Sequence, residues 1–92
     1  MPPARLFTAR TTGGEAAIDE QAHVHGLHAH LDGAGEGQIV LRDGGASGTV
    51  RATFDTPAVD EPYHLPFPGY VEFDTNVYVE LTNVNQLTLF WR

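Results

Sequence analysis

Apolar and polar residues alternate with a period of two in several short segments, and no window sustains the 3.6-residue apolar period of a helix. Clusters of glycine, proline, asparagine and aspartate separate these segments about every ten residues, the spacing of an all-β sandwich or barrel. In 49–55, Val50, Ala52 and Phe54 point inward and Arg51, Thr53 and Asp55 outward. Ile39 and Leu41 form the inner face of 38–42, and Val77, Val79 and Leu81 alternate with outward Tyr78 and Glu80. Residues 63–67 read as a short strand that Pro62, Pro66 and Pro68 confine to a sheet edge. Pro68-Gly69 then turns the chain, with Val71 and Phe73 on one side and Tyr70, Glu72 and Asp74 on the other. Asn83-Val84-Asn85 reads as the last turn, and Leu87, Leu89 and Trp91 face away from Thr88 and Phe90 in the closing strand. Both faces of that strand carry large apolar groups, so the face outside the core needs a cover. The glycine-rich stretches 33–37 and 43–48 read as hairpin loops.

Residues 22–31, Ala-His-Val-His-Gly-Leu-His-Ala-His-Leu, break the strict alternation. One extra residue at Gly26 restores it. Ala22, Val24, Leu27, Ala29 and Leu31 then share one face, and His23, His25, His28 and His30 share the other. A β-bulge supplies such a residue, and glycine tolerates its backbone angles. The expectation is a compact antiparallel β-sandwich, jelly-roll-like, of seven or eight short strands with little or no helix. Most connections are expected to be tight hairpins. Residues 1–14 read as a flexible N-terminal arm, with a short strand at 5–10 and a break at Thr11-Thr12-Gly13-Gly14. Residues 15–92 read as a single domain.

Composition narrows the chemistry. The 92 residues include no cysteine, which removes disulfides, thiolate metal sites and cysteine catalysis. Twelve acids oppose five arginines, with no lysine, for a net charge of −7. The arginines are scattered, so no basic stripe is expected to bind nucleic acid or an anionic membrane. The first residues carry no leader pattern, and no apolar run approaches the roughly 20 residues of a membrane span. Ser47 is the single serine and lies in a glycine loop rather than a nucleophile elbow. The acidic pairs read as the polar sides of strands. No catalysis and no cofactor are expected.

The histidine strand is the sharpest local feature. Imidazoles at i and i+2 project from one strand face about 6–7 Å apart, and a metal can bridge them. His23, His25, His28 and His30 are the candidate ligands, against the plainer reading of a solvated, subunit-facing or pH-responsive surface. His28-Ala29-His30 shares the His-x-His of the first cupin motif, but Glu36 follows too late and no histidine follows His64. Tyr63, Tyr70, Tyr78 and Phe90 are read as outward and suit either sugar stacking or subunit contact.

The segment from Gln38 onward carries Leu-Arg-Asp-Gly (41–44), Pro-Gly-Tyr-Val-Glu-Phe-Asp-Thr (68–75), Val-Tyr-Val-Glu-Leu-Thr (77–82) and Leu-Thr-Leu-Phe-Trp-Arg (87–92). It resembles small all-β virion proteins of tailed bacteriophages and prophages. The resemblance implies a structural particle component on the head and transfers no catalytic residue; the histidine strand lies outside it. The expected function is that of a capsid cement or decoration protein. It would be trimeric, bind the major capsid protein on the head exterior, and pass through the host cytoplasm during assembly. The arm would add a strand to a capsid edge through Arg5, Leu6 and Phe7, with Tyr78 and Phe90 lining contacts. The alternatives are a tail or head–tail connector component, and a small metal- or carbohydrate-binding β-domain using the histidine face.

Overall fold

In the computed structural model, residues 6–92 are described. Among them the alternating segments form eight β-strands and no helix: β1 (Phe7–Thr11), β2 (Glu15–Ile18), β3 (Ala22–Leu31), β4 (Gly37–Asp43), β5 (Thr49–Thr56), β6 (Pro62–Phe73), β7 (Val77–Thr82) and β8 (Val84–Trp91). They build two four-stranded antiparallel sheets. Sheet A has the order β1-β8-β3-β6 and sheet B the order β2-β7-β4-β5. The fold is all-β and sandwich-like, as the alternation predicts.

The order has a simple origin. β4 pairs with β5, β3 with β6, β2 with β7 and β1 with β8. The chain is thus one long antiparallel ribbon with its tip at the β4–β5 loop. Rolling that ribbon brings β8 beside β3 and β7 beside β4. Two interlocked Greek keys result, which is the jelly roll. Six of the seven connections therefore switch sheets, and β4–β5 is the one sequential hairpin. This corrects the expectation of mostly tight hairpins: the glycine stretch at 33–37 is part of a sheet crossing, and Pro68-Gly69 lies within the continuous strand β6 rather than turning the chain.

The inner faces meet as the period-two pattern requires. Val24, Leu27, Ala29 and Leu31 of β3 and Leu87 and Leu89 of β8 oppose Ile39 and Leu41 of β4 and Val77 and Val79 of β7, all at most 1% exposed. Each of the larger side chains contributes about 1.5–3 kcal/mol by leaving water. Phe73 of β6 is fully buried with them. Val50 departs from its expected place and is 45% exposed, because the β4–β5 register shifts between Leu41 and Arg42, leaving Arg51 as the extra residue and pairing Val50 with Arg42. Tyr63 also departs, pointing inward with Leu65 and Phe67 against the core. Val84, expected in a turn, begins β8 and is buried, and Asn83 alone makes the crossing with a left-handed φ of 55°. Asparagine adopts that conformation more easily than most residues. β2, a four-residue strand ending in buried Ile18, carries too short a pattern to be read from sequence.

The N-terminal arm needs a second correction. Phe7 to Thr11 pair in register with Trp91 to Leu87 of β8, so this stretch is an edge strand of sheet A. Thr11 closes it by accepting the Gly13 amide at 3.0 Å and donating to the Glu15 carboxylate at 2.8 Å. Arg5, proposed as a partner anchor, lies outside the described residues. The proline-bearing β6 forms the opposite edge of sheet A, as expected.

Candidate functional site

The outer face of sheet A gathers the residues with unassigned chemistry. Its central element is β3. The register of β3 shifts between Val24 and Gly26 against both β8 and β6, which identifies the bulge expected from the sequence. Against β8, His25 is the extra residue. Against β6 the excursion is larger: Val24 pairs with Val71, and Gly26 already pairs with Pro66. Gly26 is glycine for a reason other than its torsion. A Cβ there would stand 3.1 Å from the Leu65 carbonyl oxygen and 3.3 Å from the Pro66 Cα, so a side chain would require the β6 backbone to give by a few tenths of an ångström.

The bulge puts the apolar residues of β3 in the core and turns the imidazoles outward. His23 and His25 are half-buried, whereas His28 and His30 are exposed. His64 of β6 joins them, so all five histidines of the chain lie on this face. Sequence reading left His64 out of the set because it sits in another segment. Reading Tyr63 as outward also placed its neighbour His64 on the inner side, whereas the structure packs Tyr63 against the core, exposes His64 and brings it beside His28 through a register that only the folded sheet provides.

Two aromatic groupings result. The Tyr70 ring stacks on His23 at 4.3 Å and lies tilted against His25 at 5.8 Å. His28 and His64 face each other across β3 and β6 with ring centres 5.8 Å apart, and Phe90 meets His64 edge-on at 6.2 Å. Among the described residues, no three histidine or carboxylate side chains come together as a metal-binding group. The four candidate ligands of β3 are therefore strung along the strand rather than gathered around a point.

Beside these rings lies a shallow depression of about 250 Å³ lined by Leu6, His25, Gly26, His64, Pro66 and Phe90. Leu6 and Phe90, both expected to bind a partner, meet here. Phe7 is 55% exposed at the sheet edge, with its ring 5.2 Å from that of Trp91. Tyr78 is not brought to this group: it lies on β7 in sheet B, beside a different depression with Ala46 and Glu80. Phe90 is the large apolar group on the second face of β8; it is half-buried, with Leu6 and His64 beside it.

The other end of the fold holds its polar residues differently. Asp43, at the end of β4, accepts the Asp74 amide at 2.9 Å and the Thr75 amide at 2.9 Å. Asn76 Oδ1 accepts the Gly44 and Gly45 amides at 3.1 Å each, so the ribbon tip and the β6–β7 crossing clamp one another. The Asp74 amide in particular holds the Asp43 carboxyl below its ordinary value, partly offset by burial and assisted by Thr75 and Arg51. This arrangement is structural: the Asp43 carboxylate and Asn76 Oδ1 each hold two backbone amides.

The fold is a small jelly-roll module with its imidazoles, Tyr70 and Phe90 gathered on the outer side of sheet A. No family model matches the chain, and no solved structure matches it significantly.

Proposed function

We propose that this protein is a non-catalytic structural component of a tailed-phage particle, a cement or decoration protein of the head, and that it docks through the outer face of sheet A. The observation that carries the docking face is the apolar-lined depression that Leu6, Pro66, Phe90, His25 and His64 form there, with the Tyr70 ring against His25 and the His28 ring against His64. Exposed aromatic groups beside a partly apolar hollow are the chemistry of protein contacts. The phage assignment rests on the resemblance of 38–92 to small virion proteins. The acidic balance of −7, without a basic stripe, suits an outer surface rather than a DNA-facing one. Self-association as a trimer belongs to the same reading, with the major capsid protein as partner.

The arm mechanism changes. Because Phe7–Thr11 is already hydrogen-bonded to β8, strand addition uses the outer edge of β1, which no other described strand pairs, rather than a loose segment. The experiment is mass spectrometry of purified particles made with and without the gene, together with their resistance to heating. A stoichiometric band in wild-type heads and earlier rupture of heads lacking it support the reading. Its absence from purified particles refutes it, and its recovery only with tails moves the protein to the tail or connector.

A further inference from the structure

We propose that His28 and His64 form a two-imidazole binding site for a borderline divalent transition ion such as nickel, copper or zinc. The site is defined by pairing across strands, not by the His-x-His spacing along β3. The two residues are direct register partners on antiparallel β3 and β6, and both side chains are exposed. Opposed residues on neighbouring strands have Cβ atoms about 4.5–5.5 Å apart. Residues at i and i+2 on one strand are separated by about 6–7 Å. The cross-strand pair is therefore the tighter chelate.

The ring geometry agrees. With metal–nitrogen bonds of about 2.0–2.1 Å at a tetrahedral angle, two coordinating imidazoles have ring centres roughly 5 Å apart. His28 and His64 stand at 5.8 Å, tilted by 50°, so small side-chain rotations close the pair on an ion. The alternatives on this face are poorer. His23 and His25 are both engaged by the Tyr70 ring. His30 is opposed by Pro62 on β6 and Gln86 on β8, neither of which is an imidazole.

Phe90 restrains the His64 ring from one side, which lowers the entropy lost on binding. The row that holds the pair continues to Thr88 and Arg10, so no carboxylate lies in it and water fills the remaining coordination positions. Imidazole without carboxylate or thiolate selects nickel, copper and zinc over calcium and magnesium. This inference rests on the sheet alone and stands or falls separately from the particle reading.

The test is calorimetric titration of the untagged full chain with nickel(II) and zinc(II) chloride, with native mass spectrometry counting bound ions. The wild type is expected to take one ion per chain. His28→Gln and His64→Gln each weaken binding by roughly 100-fold, because either change turns an intramolecular second contact into none. His23→Gln and His30→Gln leave affinity unchanged. A readout without substitutions is the NMR spectrum of the wild-type imidazoles, where the His28 and His64 signals shift first and together. Failure of the wild type to bind, undiminished binding by His64→Gln, or an equal loss in His30→Gln overturns the site. So does a first shift at His23 or His25.

Discussion

The outer faces of the two sheets are built on the same core, yet they manage their polar residues in opposite ways. On sheet B, Arg42 pairs with Glu80 and also donates to the Gly48 carbonyl at 3.2 Å, while Gln38 reaches Asp55 at 3.4 Å. Side chains there answer one another across neighbouring strands, as in any self-sufficient solvated face. On sheet A, the outward groups of the central strands β3 and β8 are imidazoles, Phe90, Thr88 and Gln86, the edge strand β6 adds His64 and Tyr70, and the charges are Arg10 on β1 and Glu72 on β6. Their mutual contacts are ring against ring. A face that satisfies itself has little to offer a partner, whereas one carrying unpaired donors, acceptors and rings can gain by being covered or by binding an ion. This difference is the reason the proposed docking face and ion site are both placed on sheet A.

The strongest way to break the comparison is to remove what both faces share. Phe73 is fully buried between the sheets, at the end of β6 where the chain crosses to sheet B. Phe73→Ala is expected to cost about 3–5 kcal/mol through lost burial and the cavity left behind. Urea unfolding monitored by Trp91 fluorescence measures it. A small domain has limited stability to lose, so an unfolded variant is one expected outcome. A loss below about 1 kcal/mol would mean that the sheets do not depend on this contact.

Next in size is the clamp between the ribbon tip and the β6–β7 crossing. Asp43→Ala leaves the Asp74 and Thr75 amides without their acceptor and is expected to cost about 1–3 kcal/mol. The pH dependence has a definite sign. The folded-state value of Asp43 is lowered, chiefly by the Asp74 amide, from an ordinary 3.8. Its contribution is therefore fully present above about that pH and is lost as pH falls through the lowered value. Denaturation between neutral and acid pH should show wild type and Asp43→Ala converging at the acid end. Parallel curves would remove the carboxylate from the account.

The strands of the core were legible because burial enforces period two on both sides of the sandwich, and the β3 bulge was legible because five apolar residues share one face only if a residue is added. The roll was not. Nothing local distinguishes a crossing such as Asn83 from a hairpin turn, since the sheet to which a strand returns is decided by ribbon pairing over the whole chain. Phe7–Thr11 looked like a free arm because its partner, β8, is nearly the length of the chain away. The candidate site was half legible for the same reason. Four histidines show a face in sequence, but the pair that meets, His28 with His64, is created by register between β3 and β6.

The smallest expected effects sharpen the contrast most. Glu80→Gln breaks the Arg42 pair on sheet B, where the two side chains are 44% and 27% exposed. Solvent screens such a pair, so the loss should be below about 1 kcal/mol, yet measurable at low salt and reduced at high salt. His64→Gln on sheet A should change stability by less than about 0.5 kcal/mol, because the imidazole is exposed and answers no charge. The two variants, compared by denaturant midpoint at low and high salt, should then separate. Stability that depends on Glu80 but not on His64 means that sheet B uses its outer groups to hold the fold while sheet A leaves them free. A stability loss in His64→Gln larger than that in Glu80→Gln would reverse the assignment and make the ring contacts of sheet A part of the scaffold.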